Sequence, residues 1–183
     1  MTKSDPPAQS QEIKLPEKLG RYRVLSQLGA GGMGHVYRVY DPVNDRELAL
    51  KELKFDYPRA LHYFKREFRA VASLSHPHLV SLHDLYHEDD RYFYTMELVE
   101  GRDIYHFVNQ HNHIIRDPKI LCESSRLERV FQCLTQLLQA LDYLHSQGRI
   151  HRDIKPANIL VDHRGKLRLV DFGVIKEEIP GGE

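Results

Sequence analysis

His151-Arg152-Asp153-Ile154-Lys155-Pro156-Ala157-Asn158, with Asp171-Phe172-Gly173 a short way downstream, is the stretch on which the reading of this chain turns. It sets two residues of metal-ligand type, Asn158 and Asp171, close to Asp153, a carboxylate able to take a proton from an attacking hydroxyl. A protein does little covalent chemistry on a transferring phosphoryl group. A cation neutralises the charge and a carboxylate positions the nucleophile. The pattern therefore suits chemistry on phosphates. A polar loop between a helix and a hairpin accounts for either motif alone, but poorly for both in this order.

Upstream, Leu28-Gly29-Ala30-Gly31-Gly32-Met33-Gly34-His35-Val36 carries the spacing G-x-G-x-x-G-x-V. A dinucleotide site uses the same glycines, but there they open a helix. Here the residues from His35 to Tyr40 alternate and are rich in β-branched and aromatic types, which predicts a strand. The glycines then join two strands, where the missing Cβ lets backbone N–H groups come close to a phosphate. Turn residues from Asp41 to Asp45 lead into a further strand over Glu47 to Leu53, in which Ala49, Lys51 and Leu53 share a face. A helix is expected from Pro58 to just before Ser75-His76-Pro77. At about 100° per residue, Leu61, Phe64, Phe68 and Val71 form one stripe with Glu67 at its edge, while Arg66 and Arg69 point away. A half-buried Glu67 needs a cation, and Lys51 is a candidate.

These segments together resemble the protein kinases, most of all bacterial relatives of the eukaryotic serine/threonine kinases. H-R-D-I-K-P-A-N resembles the catalytic loop, D-F-G the metal-binding turn, and Ala49-Leu50-Lys51 the V-A-I-K strand. The resemblance implies Asp153 as catalytic base, Lys155 on the transferring phosphate, Asn158 and Asp171 on Mg²⁺, and Lys51 on the α- and β-phosphates with Glu67 as its partner. Gly29, Gly31 and Gly34 would be the glycines over the phosphates. The run from Arg91 to Asp103 looks like the fifth strand and the hinge between lobes. Met96 would be the gatekeeper, the backbone of Glu97 and Val99 would bond the adenine edge, and Asp103 would meet a ribose hydroxyl. Leu28, Val36, Ala49, Leu160 and Val170 would enclose the base. The implied cofactors are ATP and Mg²⁺, and the implied partner is a protein offering a Ser or Thr hydroxyl, since Lys155 is the mark of serine/threonine kinases. The expected fold is α+β and bilobal. A disordered leader (1–19) precedes a complete small lobe (20–98) with a five-stranded antiparallel sheet and one helix. An incomplete helical large lobe (99–183) follows.

Ser125-Arg126-Leu127-Glu128 reads as a capping box, and Leu127, Val130, Phe131, Leu134, Leu137, Leu138, Leu141 and Leu144 continue an apolar stripe as far as Gly148. A long scaffold helix delivering the catalytic loop is expected. No A-P-E motif follows Gly173, so the resemblance implies a kinase cut short after D-F-G. An inactive kinase fragment and an ATP-binding pseudokinase scaffold are the alternatives, the second disfavoured by the intact Lys51, Asp153 and Asp171. Lys and Arg number 26, as do Asp and Glu, with no basic block, which gives no electrostatic case for nucleic acid or a membrane surface. No apolar run approaches the ~20 residues of a membrane span, and no secretory signal is visible. Cys122 and Cys133 show neither a disulfide framework nor zinc spacing, so a cytoplasmic protein with reduced thiols is expected. His106, His111 and His113 read as surface or loop histidines. The 108–123 segment is longer than the family usually has, and the sequence does not fix an oligomeric state.

Overall fold

The alternating segment after the glycines forms the middle of a curled antiparallel sheet. This computed structural model describes residues 15–31, 34–53, 58–88, 91–109 and 126–171, except the side chains of 58–63 and 67. Strands β1 (Lys18–Leu19), β2 (Tyr22–Gly31), β3 (Gly34–Asp41) and β4 (Arg46–Leu53) precede helix α1 (Pro58–Ala72), and β5 (Leu82–Glu88) and β6 (Arg91–Met96) follow it. They pair in the order β1-β2-β3-β4-β6-β5. The five expected strands are present, and β1 adds a sixth on residues expected in the leader. Leu19 pairs with Tyr22 around Gly20, whose φ of 57° a glycine adopts without strain, and the Leu19 side chain is buried.

The sheet curls until its ends meet. The Tyr22 hydroxyl donates to the Tyr86 hydroxyl at 2.7 Å, although β2 and β5 are not neighbours in the sheet. Arg21 lies over both rings and pairs with the buried Asp41 at 3.0 Å. Leu19, Tyr22, Tyr37, Val39, Leu48, Leu50 and Phe93 fill the space so enclosed. Because a strand's side chains alternate, β4 sends Leu48 and Leu50 into this core and Ala49, Lys51 and Leu53 to the opposite face. There Ala49, Leu53, Tyr94 and Met96 pack with Phe64, Phe68 and Val71 of α1, as the helical stripe predicts. Arg66 and Arg69 are exposed, also as expected.

The same core continues into the second part of the chain: β7 (Gly101–Asp103), α2 (Ile104–Asn109), α3 (Arg126–Ser146), β8 (Ile159–Asp162) and β9 (Leu167–Leu169). Strands β7, β8 and β9 form a second small sheet. The segment after α1 ties the two parts together. Leu169 N–H donates to His78 O at 2.8 Å and Val80 N–H to Leu169 O at 3.0 Å. Helix α3 ends as expected at Gly148, where φ is 67°. Arg149 N–H reaches Leu144 O and Gly148 N–H reaches His145 O, the double closure of a left-handed helix stop. Its expected single apolar stripe divides in two. Cys133, Leu137, Ala140 and Leu144 are buried, whereas Leu127, Phe131, Leu134 and Leu138 stay between 44% and 67% exposed. The apolar arc is broader than the one surface the helix packs against. Ser125 lies outside the described residues.

Candidate active site

The catalytic segment is a short irregular stretch held from beneath by His151. That ring is buried, with Nε2 3.1 Å from Val170 O and Nδ1 accepting the Asp153 N–H at 3.3 Å. Those partners suit a neutral ring with its proton on Nε2, and burial pushes its pKa below the ordinary histidine value. His151 thus joins the backbone of Asp153 to the residue before Asp171. Arg152 and Asp171 both have left-handed backbones, with φ of 65° and 58°. Non-glycine residues hold that conformation only where their surroundings enforce it, and such residues gather at functional sites.

Asp153 is 9% exposed, and its Oδ2 is the meeting point of two other expected site residues. Lys155 Nζ and Asn158 Nδ2 each donate to it at 2.9 Å, and Asn158 Nδ2 also reaches the Asp153 carbonyl at 2.9 Å. The bond to Asp153 raises the Lys155 pKa and keeps the lysine charged. Pro156 opens a single 3₁₀ turn ending at Asn158, which places the amide under the carboxylate. Since the amide nitrogen is spent on Asp153, the carbonyl oxygen is the end of Asn158 suited to a hard cation.

From the other side of the cleft comes Lys51, 4% exposed on β4, whose Nζ pairs directly with Asp171 Oδ1. The expected partner, Glu67, lies on α1, but its side chain is outside the described residues, as are Phe172 and Gly173. The lysine therefore bridges the sheet and the segment after β9. Among the described residues no cluster of three or more His, Cys, Asp or Glu is arranged to hold a metal. Asn158 and Asp171 form a sparse all-oxygen donor pair, which fits Mg²⁺ because that ion keeps several waters and takes phosphate oxygens as ligands.

The glycine hairpin is strand, turn, strand, with Gly29 opposite Val36 and Gly31 opposite Gly34, while Gly32 and Met33 lie outside the described residues. Its glycines divide into two kinds. Gly34 has φ of 132°, and a Cβ there would sit 1.8 Å from the Glu52 carbonyl oxygen. A Cβ on Gly29 or Gly31 would meet nothing within 4 Å. The first is a glycine for the fold, and the other two leave room above the cleft.

Val36, Ala49, Met96 and Val170 belong to one apolar cluster, with Met96 opposite Ala49. Leu28, 51% exposed, and Leu160, half-buried, stand outside it. Glu97 and Val99 lie in a stretch without strand pairing. Glu97 N–H donates to Ser81 O at 2.9 Å, so a ligand contact from Glu97 falls to its carbonyl. Asp103 adjoins Leu160 in register and caps α2 through the His106 N–H. Sequence reasoning misses the Glu97 side chain, which takes Arg168 Nε at 3.1 Å, and the contact of His106 with Asp103. Glu97 and Arg168 lie 71 residues apart, and no local pattern marks such a pair.

The family model for the protein kinase domain matches residues 22–182. The chain belongs to the protein kinase family. It is 38% identical over 158 residues to the serine/threonine-protein kinase PrkC of Bacillus subtilis, covering 85% of this chain and 23% of that protein. It is 35% identical to the probable serine/threonine-protein kinase PknB of Lactococcus lactis, covering 85% and 24%. The chain thus spans about a quarter of the length of these relatives. It is also similar to the solved kinase domain of Mycobacterium tuberculosis PknI, with a TM-score of 0.71 and 31% identity over 90% of this chain and 64% of that one.

Proposed function

We propose that this chain supplies the nucleotide site and catalytic loop of a cytoplasmic serine/threonine protein kinase, which transfers the ATP γ-phosphoryl group to a protein Ser or Thr hydroxyl. The observation that carries this is the convergence of Lys155 and Asn158 on the Asp153 carboxylate, with Lys51 reaching across the cleft to Asp171. Asp153 orients the acceptor hydroxyl and takes its proton. Lys155 holds the charge of the transferring group. Lys51 leaves Asp171 for the α- and β-phosphates, and Asp171 with the Asn158 carbonyl oxygen holds the cation. When bound, Mg²⁺ neutralises charge on the β- and γ-phosphates. Gly29 and Gly31 leave room over the phosphates in the hairpin that Gly34 shapes, and Leu28, Val36, Ala49, Met96 and Leu160 line the adenine slot, with the Glu97 carbonyl and the Val99 backbone at its edge. Asp103 receives a ribose hydroxyl.

The names of the relatives and the presence of Lys155 support the Ser/Thr class. Residues 20–98 serve as the small lobe and 99–183 as part of the large one. No described helix is long and apolar enough to cross a membrane. The test is phosphoryl transfer to a protein substrate by the full-length protein, with Asp153→Asn beside the wild type. Nucleotide Kd should change less than about threefold while turnover falls on the order of 10²–10⁴-fold, since the base acts on the acceptor and not on ATP. Equal losses in both overturn the role of Asp153, and a product dominated by phosphotyrosine overturns the substrate class.

A further inference from the structure

The carboxylate of Asp103 is held at both oxygens by one residue. Oδ1 accepts the backbone N–H of His106 at 2.9 Å, and Oδ2 lies 2.6 Å from the His106 ring nitrogen Nδ1. An ionised carboxylate offers about four acceptor positions, and with the neighbouring Tyr105 N–H three are used, so about one remains for a ligand. The χ2 torsion of an aspartate is broad, and backbone N–H groups alone hold the carboxylate less firmly than a side-chain partner on the second oxygen does. The second anchor at Nδ1 fixes the carboxylate plane. These bonds, together with the neighbouring Tyr105 N–H, outweigh the burial that opposes ionisation and hold the Asp103 pKa below the ordinary carboxylate value. The His106 ring is 67% exposed and Asp103 27%, so the pair is open to solvent, and Asp103 lies opposite Leu160 in the sheet.

We propose that His106 is a positioning residue for ribose recognition: its Nδ1 locks the Asp103 carboxylate in the orientation that receives a ribose hydroxyl. This rests on the assignment of Asp103 above. His106 touches no nucleotide. It acts through the carboxylate, whose remaining acceptor position it aims into the cleft, because a loosely held acceptor discriminates poorly between a sugar that has the hydroxyl and one that lacks it. A nearly neutral alternative is that His106 merely stabilises the start of α2. That role would lower thermal stability and leave sugar selectivity unchanged.

The experiment is calorimetric titration of the chain with Mg²⁺ and ATP, 2′-deoxy-ATP or 3′-deoxy-ATP, on the wild type and on Asp103→Ala, His106→Ala and His106→Asn. The amide nitrogen of an asparagine lies where Nδ1 of a histidine lies, so the last variant keeps the donor. The readout is the larger of the two ratios of deoxynucleotide Kd to ATP Kd. A hydrogen bond to a charged group makes a ratio of at least about tenfold the expectation for the wild type. Asp103→Ala should bring the ratio near one, His106→Ala should lower it at least about threefold, and His106→Asn should restore it. If Asp103→Ala lowers the ratio and His106→Ala does not, the inference is overturned while Asp103 keeps its role. The same holds if His106→Asn fails to restore selectivity. If Asp103→Ala leaves the ratio unchanged, the ribose assignment fails and takes the inference with it.

Discussion

Replacing Gly34 by alanine separates the glycine that shapes the hairpin from those that leave room for a ligand. The new Cβ would lie 1.8 Å from the Glu52 carbonyl oxygen, and Cβ contacts under 3.0 Å are essentially never seen. Strands β3 and β4 must therefore part by more than 1 Å at their paired end, where Gly34 faces Leu53. Losing one or two ladder hydrogen bonds costs about 1 kcal/mol each. The positive φ of 132°, tolerable for glycine, adds about 1–3 kcal/mol for alanine. A total of about 2–5 kcal/mol corresponds to a fall in Tm of roughly 5–15 °C for a chain of this size. Gly29→Ala and Gly31→Ala, with open space around both positions, should stay within a degree or two of the wild type yet weaken Mg·ATP binding by crowding the phosphates. Differential scanning calorimetry without nucleotide reads the first effect, and titration with Mg·ATP the second. A Gly34→Ala protein that melts with the wild type would refute the reasoning, as would a Gly29→Ala protein that unfolds early.

The two faces of α3 should respond differently. Leu144→Ala, at a side chain only 1% exposed, should cost about 2–5 kcal/mol in urea unfolding, whereas Phe131→Ser and Leu138→Ser should stay within roughly 0.5 kcal/mol while lowering the binding of an apolar dye. Equal costs on both faces would show that the helix packs otherwise. Acid should destabilise the fold well above the carboxylate range. His76, His83 and His151 all have lowered pKa values, each chiefly because burial disfavours the charged ring. A lowered folded pKa means that the unfolded chain binds more protons below the unfolded value of about 6.5, so stability is complete above that pH and drains away beneath it. Tm should fall as pH goes from 7 to 5, and a level or rising Tm would contradict the neutral state of these three rings.

What the sequence discloses follows from how local each signal is. The catalytic loop reads directly because Asp153, Lys155 and Asn158 reach one another within a single short turn. The glycine hairpin and α1 read from periods of 2 and 3.6 residues, and the faces so assigned to Ala49, Lys51, Phe64 and Phe68 are the faces they bury. Strand β1 is invisible because two residues have no period, and the curl that brings Tyr86 to Tyr22 is a property of the whole sheet. The division of α3 could not be read either, since periodicity marks apolar residues without saying which of them a neighbour covers. Lys51 and Asp171 lie 120 residues apart, and only the family resemblance brings both to one site.

The most direct measurement is the thermal shift produced by Mg·ATP on the wild type, Lys51→Ala and Asp171→Ala. Nucleotide at a hundredfold excess over Kd should stabilise the wild-type fold by about 2.7 kcal/mol. Both variants should lose most of that shift while remaining folded without nucleotide. A well-folded wild-type protein whose melting curve does not move with Mg·ATP would contradict the nucleotide site, and with it the kinase function.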